Sequence, residues 1–184
     1  NADGLQDLFN LKEVIPSTIP LTLMTPDEWG KHRDALVQSC TPDARTLFLF
    51  DQELHGDRAR HGFTMGTDII ASMAAADRDG FGTRWFCGLL SNQLQKGAEV
   101  ASWRSLAEEH QLGLKFFMPI AKANLADPPT FFGAVYRTVI NTYCETMKEL
   151  SKDGLLGALA AALGQFIKLD PIDFEHMIVG TSAK

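Results

Sequence analysis

Apolar positions along the chain fall into alternating strand-like and helix-like runs. Leu5, Leu8, Phe9, Lys12 and Ile15 have helical spacing, and Pro16 stops that helix. Ile19–Met24 is short and partly β-branched, which predicts a strand. Pro26-Asp27-Glu28 then opens a helix through about Cys40, with proline and two acids in its first turn. After the turn Thr41-Pro-Asp-Ala comes Thr46–Phe50, an uninterrupted apolar run that predicts a buried strand. Gln52–Met65 is polar and aperiodic and reads as a long loop. Gly66–Ala76 predicts a helix with Ile69, Ile70 and Met73 on one side. Trp85–Leu90 predicts a strand, Val100–His110 a helix stopped by Gly113, and Leu114–Ala121 a further strand.

Such alternation predicts an α/β domain with a parallel sheet and helices on both faces, over residues 1–127. Beyond Pro128-Pro129 the pattern becomes helical. Phe131–Lys152 is amphipathic, Leu155–Lys168 is alanine-rich, and Phe174–Val179 is either a strand or a helical turn. Residues 128–184 are therefore expected to form a C-terminal helical extension. Neither a repeat nor a low-complexity run interrupts this order.

Composition narrows the function classes. At 184 residues, 45% apolar and 22% charged, the chain has enough material for one well-cored domain. A net charge of −6 argues against a general nucleic-acid binder, which needs a basic face. The longest greasy stretch, Leu155–Leu163, is too short to span a bilayer, and Asn1-Ala-Asp-Gly does not begin a secretory signal. Cys40, Cys87 and Cys144 are odd in number and far apart, which reads as reduced thiols in a cytoplasmic setting.

The chemistry resides at strand ends. Asp51 ends the Thr46–Phe50 run, Ser91 follows Trp85–Leu90, and Lys122 follows Leu114–Ala121. Open α/β sheets place ligands in the crevice beyond the carboxyl ends of their strands. An aspartate, a hydroxyl and a lysine from three strands suit phosphoryl handling, where charge spreads over several oxygens. Taken singly, each has a plainer reading: a capping aspartate, a turn serine, a solvated lysine. His55 and His61, flanking Asp57, read as solvated loop histidines rather than metal ligands.

In this order the residues resemble the receiver domain of response regulators, from roughly residue 5 to residue 127. Leu47-Phe-Leu-Phe-Asp51-Gln-Glu-Leu54 is similar to the third receiver strand with its acceptor aspartate, and Gly66-Thr-Asp-Ile-Ile70 to the start of the next helix. Trp85-Phe-Cys-Gly-Leu-Leu-Ser91 and Phe116-Phe-Met-Pro-Ile-Ala-Lys122 are similar to the fourth and fifth strands. The resemblance implies a flavodoxin-like, doubly wound sheet and a module phosphorylated on Asp51 by a histidine kinase or phosphotransfer protein. Asp51 would attack phosphorus, Ser91 and Lys122 would hold phosphoryl oxygens, and a homodimer is one possible output. It also implies Mg²⁺ on Asp51, the Glu53 backbone carbonyl and an acidic pair ending a first strand. The ending Leu169-Asp-Pro-Ile-Asp-Phe-Glu-His176 is similar to that of atypical receivers from bacterial conflict and anti-phage modules.

Several positions depart from the receiver pattern. No strand with acids precedes the Leu5 helix, so the first strand is expected either upstream or replaced by another element, with Phe174–Val179 the candidate. Asn92 follows the hydroxyl where a small residue is usual, and Ala123 replaces the proline after the lysine. Pro119 stands at the switch aromatic, with Phe116 or Phe117 as substitutes, and the loop after Asp51 is long. These departures favour a second reading, a pseudo-receiver that binds partners without phosphate. A third, a haloacid-dehalogenase-type phosphohydrolase, would require a true second acid at Glu53 and an acidic pair beyond Lys122.

Overall fold

A computed structural model describes residues 20–54, 62, 64–150 and 176–180. Its strands are β1 (Leu21–Met24), β2 (Thr46–Asp51), β3 (Trp85–Ser91), β4 (Met118–Ala121) and β5 (His176–Gly180). The helices are α1 (Pro26–Ser39), α2 (Gly66–Ala76), α3 (Glu99–Glu109) and α4 (Pro128–Leu150). The strands form one sheet in the order β1-β5-β2-β3-β4, and every neighbouring pair is parallel.

Alternation of side chains along β2 builds a core on each side. Phe48 and Phe50 point into a cluster with Trp29 of α1, Ile69, Ile70 and Met73 of α2, and Trp103 and Ala107 of α3. Leu47 and Leu49 point the other way, into Phe131, Ala134, Val135, Val139 and Tyr143 of α4. Burial on both faces explains why β2 is apolar throughout instead of alternating. Among the described residues, three helices thus cover one face and α4 the other.

Start signals of the helices are local. Thr25 Oγ1 accepts from Glu28 N–H, and Glu28 Oε2 accepts from Thr25 N–H at 2.7 Å, so α1 begins with a reciprocal capping box. In α2 the third residue, Asp68, accepts from Thr64 N–H and Met65 N–H at 3.1 and 3.0 Å. Burial opposes ionisation of Asp68, but these bonds and the Thr64 hydroxyl outweigh it and hold the carboxyl below its ordinary range. A lowered folded pKa adds stability above the unfolded value, about pH 3.9, and that stability goes as pH falls through the folded pKa. Asp68→Asn is accordingly expected to melt below the native chain at pH 7, with the gap narrowing under about pH 4.

Three sequence expectations change. First, among the described residues α4, expected in the C-terminal extension, packs on the face of the sheet that Leu47 and Leu49 line, because its buried positions repeat every three to four residues from Phe131 to Thr146. Second, the apolar run Leu114–Ala121 is a strand only from Met118; Leu114–Phe116 is a 3₁₀ turn that sets Phe116 edge-on to Phe81, ring centroids 4.9 Å apart. Third, the expectation of an upstream first strand meets a different arrangement, in which β5 lies between β1 and β2. Its pairs Met24↔Gly180 and Phe50↔Gly180 bring its end level with β1 and β2.

Pro119 lies on the edge strand β4, where the missing N–H costs least. The helices expected at Leu5–Ile15 and Leu155–Lys168, and the loop residues His55 and His61, lie outside the described residues. Among the described residues no helix is long and apolar enough to cross a membrane.

Candidate functional site

Three neighbouring strands deliver the sequence-predicted residues to one edge of the sheet. Asp51 is the last residue of β2 and pairs with Leu90; Ser91 is the last of β3 and pairs with Ala121, the last of β4. Lys122 follows at once, opening the 3₁₀ turn Lys122–Ala126. β2 and β4 are two strand spacings apart, roughly 10 Å. The long lysine side chain crosses that gap over β3, and Lys122 Nζ lies 2.7 Å from Asp51 Oδ2. The two side chains are only 18% and 14% exposed, so water screens the pair weakly.

A glycine permits the backbone approach beneath this pair. Gly66 N–H donates to Gln52 O at 3.0 Å, which lays the first turn of α2 against the end of β2. A Cβ on Gly66 would stand 2.3 Å from the Asp51 carbonyl oxygen and 2.9 Å from Leu89 Cδ1. Gly66→Ala is expected to cost about 1–3 kcal/mol, read as a lower denaturation midpoint, because backbone must shift to admit the methyl.

Ser91 reaches the same edge but is engaged locally: its buried Oγ accepts from Gln93 N–H at 3.1 Å. As a hydroxyl it keeps a proton to donate. Gln93 also reaches sideways, and its Nε2 donates to Glu53 Oε1 at 2.9 Å. Glu53 stands opposite Met65 in an antiparallel bridge closed by Leu54 N→Thr64 O and Gly66 N→Gln52 O, so the long loop is zipped where it leaves and rejoins the site. Asn92 is exposed. Phe116 and Phe117, the substitutes considered for the switch ring, are both buried in the core.

Behind Lys122 lies a polar contact that sequence reasoning missed. Asn124 Nδ2 donates to Glu99 Oε1 at 2.7 Å, and both residues are buried. Burial would raise the Glu99 carboxyl, but hydrogen bonds from its own amide, the Asn124 side chain and the Ala121 amide, with the Arg137 charge, hold it below the usual range. The sequence signal for Glu99 was an acid in the first turn of a helix; Asn124 offered none. The β3–α3 loop is pinned too, by Lys96 Nζ 3.5 Å from Asp127 Oδ2, and Asp127 also accepts from the Thr130 hydroxyl.

Among the described residues, the side chains near Asp51 do not complete the magnesium pocket implied by the receiver resemblance. A hard cation takes six or more oxygens, usually with several carboxylates. Here Asp51 Oδ2 meets Lys122, Glu53 Oε1 meets Gln93, and β5 continues in sequence as Thr181-Ser182, without an acid. Among the described residues no group of three or more His, Cys, Asp or Glu is placed to hold a metal. Among the described residues, the strand ends bring a carboxylate, an ammonium and a hydroxyl to the site. The chain matches no family model, no curated protein and no solved structure.

Proposed function

We propose that this protein is a receiver-like signalling module that accepts a phosphoryl group on Asp51 from a partner kinase or phosphotransfer protein. The observation that carries this reading is the 2.7 Å contact between Asp51 and Lys122 across β3, beside Ser91. Strand order supports it. With β5 counted first, the sheet runs 2-1-3-4-5, the flavodoxin-like order, whose ligand crevice opens between the first and third strands. Asp51 ends the strand on one side of that crevice.

The transfer follows from the side chains. An Asp51 oxygen forms a bond to phosphorus while the donor's bridging bond breaks, and the leaving group departs with that electron pair. The product is an acyl phosphate. Lys122 shifts from the carboxylate to a phosphoryl oxygen, and the Ser91 hydroxyl donates to another. Any Mg²⁺ participation would need oxygen ligands beyond those described.

The test is intact-mass measurement after incubation with acetyl phosphate, with and without Mg²⁺. Expected is a gain of ~80 Da that is absent from Asp51→Asn. No such gain under either condition defeats phosphoacceptance.

A second reading, the pseudo-receiver, has its own support: β5 ends at Gly180, level with the end of β2, and no residue of His176–Gly180 is an acid. There the Asp51–Lys122 pair would hold the strand ends together for partner binding. The phosphohydrolase reading is weaker, because Glu53 is held by Gln93 and β5, the described strand after Lys122, carries no acid.

A further inference from the structure

We propose that Glu99 is a positioning residue for Lys122, and that it passes the state of the Asp51 site to helix α3. This inference rests on the phosphoacceptor reading and names how that site would be coupled to the rest of the fold.

The argument begins with the turn that carries the lysine. Lys122 has no partner strand beyond Ala121, so the direction of its side chain depends on how the Lys122–Ala126 turn is anchored. Glu99 anchors it from the far side: its carboxylate accepts from Asn124 Nδ2 at 2.7 Å, two residues after Lys122. Asn124 is 0% exposed and Glu99 2% exposed, so the anchor is sheltered from competing water. Glu99 is also the first residue of α3, and the Arg137 charge of α4 acts on it. One carboxylate thus joins the lysine turn to α3.

A second observation bears on how the anchor would move. Among the described residues, Asn124 Oδ1 is buried with no hydrogen-bond partner. A buried amide oxygen left unpaired is costly, and a small rotation of the turn that satisfied it would be favoured. When Lys122 leaves the carboxylate to follow a phosphoryl group, the turn has such a rotation to make. Asn124 would carry it to Glu99, and Glu99 to the first turn of α3.

The experiment uses the full chain with its lysines ¹³C-methylated, the Lys122 signal being assigned by its loss in Lys122→Arg. In Asp51→Asn that signal marks a lysine released from its carboxylate. Glu99→Gln, which keeps the side-chain shape, is expected to move the Lys122 signal toward the Asp51→Asn position while the Lys115 signal stays. With acetyl phosphate, its labelling rate is expected to fall about tenfold, since small misplacements of a reacting group are costly. A folded Glu99→Gln protein with an unmoved Lys122 signal overturns the inference, as does an equal shift at Lys115, the mark of general loosening. Should Glu99→Gln fail to fold, the paired change Glu99→Leu with Asn124→Leu removes both partners at near-constant volume and is read by the same signals. If the native chain gains no phosphoryl group on Asp51, the phosphoacceptor reading fails by itself, and the Lys122 signal still decides the role of Glu99.

Discussion

Replacing Lys122 with methionine is expected to slow phosphorylation of Asp51 by roughly 10²–10³-fold while leaving the fold intact. Methionine keeps the unbranched shape that crosses β3 and removes only the charge. The ammonium sits 2.7 Å from Asp51 Oδ2, where negative charge is redistributed as the phosphoryl group arrives, and it is held there before the reaction begins. Removing one preorganised donor from such a site has this order of effect. The readout is the rate of mass gain with acetyl phosphate, compared at equal far-UV circular dichroism. A rate within threefold of the native chain would mean that the lysine is a tie between strands and not a participant.

The largest effect on stability is expected from Phe50→Ala, about 3–5 kcal/mol. Phe50 is 1% exposed, lies edge-on to Trp29 with ring centroids 5.1 Å apart, and stacks beside Phe48 at 6.1 Å. Truncation removes a ring from the centre of the cluster where α1, α2 and α3 meet β2. A domain of ordinary stability, about 5–15 kcal/mol, would lose a large part of it. Urea denaturation measures the loss, and Tyr136→Ala, at a half-exposed position on α4, serves as a control expected within about 0.5 kcal/mol. Because Phe50 immediately precedes Asp51, loosened packing there should also reach the candidate site.

The parts of the fold legible in the sequence are those governed by local burial. Thr46–Phe50 and Trp85–Leu90 stood out because strands covered on both faces are apolar without interruption, and the observed strands each run one residue further. The strand-end placement of Asp51, Ser91 and Lys122 followed from those runs, and the structure brings Asp51 and Lys122 into contact. The stretch from Leu114 to Ala121 was less legible, since an apolar run looks the same whether it turns into a core or extends along a sheet. The place of α4 was hidden for a different reason: an amphipathic helix announces a buried stripe but not the surface that buries it. Gln93 and Asn124 were invisible, and Glu99 showed only as a first-turn acid, because each gains its role from a partner distant in sequence.

The position of β5 has a consequence for how the chain reaches its final form. During synthesis β1 to β4 leave the ribosome before the segment that completes the middle of the sheet. Until then the facing edges of β1 and β2 carry open backbone donors and acceptors, an invitation to foreign strands. Closure is a long-range event, slower than the local pairing of β2 with β3. Completion of the sheet therefore waits on the last of the described strands, whose pairing with both β1 and β2 joins the two parts.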